Sequence, residues 1–435
     1  MKINKNHLLA GVIVTGILGG VTVALVDKGI SVGYGHALSK LNSIKGLTAT
    51  AADVKIGFGS TYAETVLTMN NKFSGMVGDQ LTGGEDITIV VKHTLDHFSY
   101  PFEINHDAAF DAETSKLIAD SLNLEGEDGA IMPVPGQLIS RHKLDGSFDA
   151  IGVIDHIQYG NVLSLDPTRI YFATTKDGSA ATLKSSSDEL VISSTGNESK
   201  IKLESVNYSW NGTLDGCKAV CEGEQQFSIG KLEQYDGRGS LSLLASDVGL
   251  STSSYLSNDK YSFMFSGIAG ALENNTVQWS DFALHTSVTD VKRAAVDEFS
   301  KELKVVMMPE TSEELAAAKL QEMYARLLET GLSMNVDSLK AKSINGDMNA
   351  SVSILLPEGK MPNLALNPLG LIPVIEGKLD ASFPVAEIDK VFGVGSAMSA
   401  TQTGFALLSD DKKSIKTKIE VAGGQAKING NQVPL

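Results

Sequence analysis

KIKLESVNYSW, residues Lys200 to Trp210, sets Ile201 and Leu203, and then Val206, Tyr208 and Trp210, among polar neighbours, with a spacing of two within each run. Side chains alternate between faces only in an extended strand, so the stretch predicts a half-buried β-strand. The same pattern extends outward on both sides. Upstream it covers Asp86–His93, Ser147–Tyr159, Arg169–Thr175 and Glu189–Ser193, and downstream Gln226–Leu232, Ser240–Leu244, Lys260–Ser266 and Val277–His285. Lys176-Asp177-Gly178, Thr195-Gly196-Asn197, Asn211-Gly212 and Asp236-Gly237 lie between these runs and carry turn chemistry. Short alternating strands joined by such turns read as antiparallel sheet. No helix-length insertion is expected between residues 54 and 290.

Beyond residue 290 the apolar period becomes helical. Val291–Met307 spaces Ala294, Glu298, Phe299 and Leu303 at three and four residues, and Pro309 ends it. Thr311 and Glu314 form a capping-box arrangement opening a second helix, which Gly331 stops. Two helices with a short connection predict an antiparallel pair. Strands then resume over Asp347–Leu355, Glu376–Val385, Phe405–Leu408, Lys413–Val421 and Gln425–Ile428, with a short helix at Ala386–Val394.

The N-terminus follows a different rule. Leu8–Val26 (LLAGVIVTGILGGVTVALV) is uncharged and apolar, follows Lys2 and Lys5, and precedes Asp27. It is long enough to cross a bilayer as a helix, and its basic flank sets the N-terminus in the cytoplasm. A cleavable signal peptide is the competing reading, but such segments have shorter apolar cores and a small-x-small site. Gly11, Thr15 and Gly19 recur every fourth residue, a spacing that lets two membrane helices approach, although small residues are also simply common in such helices. The expected organisation is a cytoplasmic stub (1–7), an anchor (8–26), a stalk (27–53), a β-rich region (54–290) and a helical pair with C-terminal strands (291–435). The fold class is therefore α+β: a transmembrane helix followed by a large, mainly antiparallel ectodomain.

The 435 residues carry a formal charge of −16, and since Lys2 and Lys5 are the only charges before Asp27, the exported part carries −18. That surface argues against nucleic acid, which needs a basic footprint. At 42% hydrophobic residues the chain folds rather than staying disordered. The only cysteines, Cys217 and Cys221, suit a local disulfide outside the cytoplasm. Half of a zinc site is the alternative, but no second ligand pair stands nearby.

The densest ionisable cluster is His93, Asp96, His97, His106 and Asp107. These residue types bind zinc-like metals, yet on a strand His93 and His97 share a face from which Asp96 points away. Ordinary surface histidines are the favoured reading. No HExxH, GxSxG, Walker loop or GxGxxG after a strand occurs, so no catalytic residue, cofactor or metal is assigned. Tyr261, Phe263 and Phe265 share one strand face and read as core; the sharper idea is an apolar groove between sheet and helices.

Leu95-Asp96-His97 followed by Pro101-Phe102 resembles the short Asp-His, Gly-Pro-Phe signature of the YdgA-like family of bacterial envelope proteins of unknown function. Here Phe98-Ser99-Tyr100 stands where the family has a single Gly. The segments Gln321–Gly331, Ser333–Leu339, Gly346–Leu355, Gly377–Pro384 and Gly424–Asn431 also resemble family elements in order. The resemblance implies an inner-membrane anchor, a periplasmic ectodomain and self-association, with no assigned reaction. The expected function is a non-enzymatic envelope binding or interaction protein, homo-oligomeric, with the inner membrane and a lipid or another envelope protein as partners. The alternatives are a carrier of a lipid or other hydrophobic ligand, and a metal hydrolase using His93, His97 and Asp96.

Overall fold

A computed structural model describes residues 38–39, 41–42, 46–56, 60–70, 85–96, 98–122, 136–159, 163–193, 198–214, 221–274, 276–306, 313–359 and 373–433. The predicted anchor Leu8–Val26 and its seam residues Gly11, Thr15 and Gly19 lie outside them, as do His97 and Cys217. Among the described residues no helix is long and apolar enough to cross a membrane. The chain divides into two compact units, Met1–Lys200 with Val206–Asn211, and Ile201–Ser205 with Gly212–Leu435. Both are built from antiparallel strands with few helices.

The first unit holds β1 (Leu47–Ile56), β2 (Ser60–Met69), β3 (Ile87–Asp96), β4 (Phe102–Phe110), β5 (Gln137–His142) and β6 (Phe148–Ile154). After them come β7 (Ile157–Tyr159), β8 (Leu163–Leu165), β9 (Thr168–Thr174) and β10 (Ala181–Ser193). Strands β1 to β6 pair in sequence, β6 pairs with β9, and β10 takes β9 and β8 on the same edge. Alternation puts Leu67, Met69, Ile87, Ile89 and Val91 on one buried face with Leu47 and Ala49. Ser147–Tyr159, expected as one strand, is broken at Asp155-His156 into β6 and β7. A larger correction is the helix α1 (Ala112–Leu122), inside the region expected to hold none. Its cap explains it: the Asp111 carboxylate accepts the Thr114 N–H at 2.7 Å, and Thr114 Oγ1 accepts the Thr88 N–H at 2.9 Å.

β11 (Lys200–Gly212) contains Ser205 with φ 55°, and across it the apolar positions change from odd (Ile201, Leu203) to even (Val206, Tyr208, Trp210). The second unit continues with β12 (Gly223–Tyr235), β13 (Leu241–Ser257), β14 (Lys260–Asn274) and β15 (Gln278–Lys292). The helices α2 (Arg293–Val306) and α3 (Glu313–Glu329) follow, then β16 (Leu332–Ser343), β17 (Gly346–Leu356) and β18 (Glu376–Pro384). Last come α4 (Val385–Phe392), α5 (Ser396–Gln402), β19 (Leu407–Leu408), β20 (Ser414–Ala422), β21 (Gln425–Ile428) and β22 (Asn431–Val433). Strands β12 to β18 pair consecutively, β18 pairs with β20, and β20 with β19 and β21. The expected helical pair is present, clipped by Arg326 to Glu298 at 3.0 Å and to Glu302. It covers one end of a sheet face, where Tyr261, Val291, Leu332 and Leu356 are buried with Val296 of α2.

Candidate functional site

Along β3 the buried face reads Ile87, Ile89, Val91 and then His93. The period that buries three aliphatic side chains therefore buries an imidazole as well. His106 of β4 lies directly opposite, and β5 presents Leu138, Ser140 and His142 to the same side. Thr65 of β2 completes the row, and all five polar residues are buried.

Burial obliges these groups to pair with one another. Thr65 Oγ1 lies 2.9 Å from His93 Nε2, and His93 Nδ1 lies 2.7 Å from His106 Nδ1. His106 Nε2 meets Ser140 Oγ at 2.9 Å, and Ser140 Oγ meets His142 Nε2 at 3.0 Å. The result is one hydrogen-bonded chain across four adjacent strands. A neutral imidazole donates from one nitrogen and accepts at the other, so the chain has two self-consistent polarities. In one, Thr65 donates to His93, His93 to His106, His106 to Ser140 and Ser140 to His142. In the other every bond is reversed. Among the described residues His142 Nδ1 has no partner, and its ring stacks on Phe148 at 5.6 Å.

Desolvation keeps the three rings neutral. It lowers His93 and His142 to about 4 and holds His106 well below the ordinary histidine range, with repulsion from His93 and His142 adding to the last. The Asp149 carboxylate pulls His142 weakly the other way. Such a row can order protons along its length and pin four strands in register. As metal ligands the rings are poorly placed, because both nitrogens of His93 and of His106 are engaged within the chain. Among the described residues no group of three or more His, Cys, Asp or Glu is placed to hold an ion.

The structure thus joins His93 and His106 of the sequence cluster and leaves Asp96 and Asp107 out of the row; His97 lies outside the described residues. Asp107 is exposed. Asp96 builds the β3–β4 hairpin tip: its Oδ1 accepts the Phe98 N–H at 2.9 Å and its carbonyl accepts the Ser99 hydroxyl at 3.0 Å. Pro101 follows a cis bond from Tyr100, and Phe102 lies opposite His142 in register. The motif residues therefore shape the turn beside the last histidine, with Phe98 and Tyr100 exposed on it. Thr65, Ser140 and His142 were not singled out from sequence. Their signal was the spacing of two in Gln137–His142, where Ser140 and His142 occupy the positions that apolar residues normally take.

A second buried ionisable group lies in the other unit. The Glu387 carboxylate on α4 accepts from Asn345 Nδ2 at 2.6 Å, Trp279 Nε1 at 3.2 Å and Lys390 Nζ at 3.2 Å. Burial would raise its pKa, but these donors together with Ser343 outweigh that and hold it lowered. The group fastens α4 to β15 and to the β16–β17 turn. Cys221 carries a disulfide.

A family model described as "Bacterial protein of unknown function (DUF945)" matches residues 3–435. No curated protein and no solved structure matches the chain.

Proposed function

The chain belongs to DUF945, a bacterial family of unknown function, and from that premise we propose that it is a non-enzymatic interaction protein of the cell envelope. In this reading Leu8–Val26 anchors it in the inner membrane, the rest lies in the periplasm, and the anchored chains self-associate. The finer likeness of the Asp96–Phe102 turn to YdgA-like proteins supports the placement. One observation carries the function. The polar groups richest in chemistry are turned inward and bound to each other, while large apolar side chains stand in solvent on turns and at a helix end: Phe98, Tyr100 and Leu144 in one unit, Phe392 and Val394 in the other. On the β3–β4 hairpin they gather, with the Tyr100 and Phe102 rings 6.1 Å apart, and clustered exposed apolar groups of that kind support a contact surface.

The carrier reading has its own support. Directly paired positions Phe227, Leu250, Gly267, Leu284 and Leu339 form an apolar row across β12 to β16. Beside it run Phe265, Val336, Val352, Leu379 and Ile419, linked through Thr286 and only half-buried beyond the end that α2 and α3 cover. The hydrolase reading loses support because His93 spends both nitrogens on Thr65 and His106.

Native mass spectrometry of the full chain in mild detergent separates these readings. Oligomers without adduct are expected. A lipid retained one per chain would put the carrier first, and a bare monomer would remove self-association.

A further inference from the structure

One face of the second unit stays uncharged far beyond the end that α2 and α3 cover. The row Phe227 to Leu339 continues by direct pairing through Ala350 and Ala381 to Thr417 of β20, so it crosses eight strands. The row beside it, Gln225 to Ile419, crosses the same eight. Gln225, Thr252, Thr286 and Thr417 are their only polar members, and none is charged. Lys340, Lys378, Lys416 and Glu420 alternate to the opposite face. Helices bound the rows at both strand ends. Tyr261, Val291, Leu332 and Leu356 lie on the same face beneath α2 and α3 and are at most 5% exposed. Ile415, two residues before Thr417, packs with Val385 and Ile388 of α4 and Ala397 of α5. Between these layers the cover stops: Leu250 is 39% exposed, and Phe227, Phe265, Leu284 and Leu379 are half-buried.

We propose that this trough holds an acyl chain of a zwitterionic membrane phospholipid, laid across the strands with its headgroup in solvent. The proposal deepens the carrier reading above and rests on it. Length suits the guest. The eight strands span about 34 Å at about 4.8 Å each, and the chains of one leaflet fill about 15 Å of a bilayer core. Chemistry selects hydrocarbon. A peptide laid along the floor would leave its N–H and C=O groups facing side chains that offer almost no partner, whereas an acyl chain has no such groups to satisfy. Charge selects the headgroup. A chain of net −16 repels a fatty-acid carboxylate, and a zwitterionic phospholipid brings no net charge. A floor this open exchanges its guest, so detergent tails displace the lipid and a bare oligomer is what detergent should show.

The test therefore avoids detergent. The full chain is reconstituted in phosphatidylcholine vesicles containing a phosphatidylcholine with a diazirine on one acyl chain, irradiated and digested, and the adducts are mapped. Adducts are expected on the β13–β16 peptides that carry Leu250, Phe265, Leu284 and Leu339, as well as on Leu8–Val26, which serves as internal standard. At Gly267, midway along the floor, an added Cβ meets Leu250 and Phe265 only at ordinary contact distances of 3.5 and 3.6 Å. Gly267→Phe is expected to cut the floor adducts at least fivefold, with the Leu8–Val26 adducts and the melting temperature unchanged. Should it lower the melting temperature, Leu250→Glu at the exposed floor position carries the same expectation. Adducts on Leu8–Val26 alone overturn both the trough and the carrier reading. Ectodomain adducts confined to other segments, or floor adducts that neither substitution reduces, overturn the trough and leave a carrier standing. Labelling by a diazirine fatty acid and not by the phospholipid overturns the choice of guest.

Discussion

Within the histidine row, position decides how much each residue matters. His106 is bonded on both sides, so His106→Leu would leave His93 and Ser140 each short of a buried partner. At about 1–3 kcal/mol for each orphaned group, it is expected to destabilise by about 3 kcal/mol. His142 makes one bond and already carries an unpaired nitrogen. His142→Phe should therefore cost no more than about 1 kcal/mol, since the new ring keeps the stack on Phe148. Urea midpoints of the two variants check the order. The same row sets a pH dependence. An unfolded histidine titrates near 6.5, while His93 and His142 hold off protonation to about 4 in the fold. The unfolded chain thus binds protons that the folded chain refuses, so stability is full above pH 6.5 and falls as pH drops toward 4. Each of these two groups contributes roughly 3 kcal/mol of that loss. The urea midpoint measured from pH 7.5 to 4.5 should fall, and more shallowly for His93→Gln.

The elements differ in how openly their sequences declare them. α2, α3 and β21 were legible because their apolar spacing or bounding turns are strong. α1 was not: it lacks a long stripe, and its start rests on the Asp111 cap and on Thr114 reaching β3. β10 and β13 run well past the spans read from sequence; in β13 the polar run Ser251–Ser254 stays extended because ladders to β12 and β14 hold it on both sides. At this scale Glu387 is the decisive residue. Glu387→Ala would leave the Trp279 and Asn345 donors unpaired and free α4 from the turn it is tied to. A loss of about 2–4 kcal/mol is expected, with hydrogen exchange rising first in α4 and α5. An equal rise throughout the second unit would show that the carboxylate does more than hold the helix.

For the whole molecule, the proposal places everything after Val26 outside the cytoplasm. A phosphatase fused after Leu435 should be active in cells, and a fluorescent protein that folds only in the cytoplasm should be dark at the same position. The reverse pattern would place the ectodomain inside. Substituting Gly11, Thr15 and Gly19 together by Leu is expected to leave the ectodomain folded, which its unchanged urea midpoint would confirm.

What the sequence determined alone was the kind of structure: antiparallel strands, a helical pair late in the chain, an acidic exterior and membership of one bacterial family. Those properties depend on local period, turn chemistry and composition, each readable within a few residues. Tertiary structure decided which polar residues meet. Thr65, His93, His106, Ser140 and His142 come from four strands spread over 78 positions, and only the register of β2 to β5 brings them into one row. It likewise decided that Phe392 and Val394 face solvent while Ile388 faces inward, because an apolar side chain carries no sign of which side its neighbours will cover.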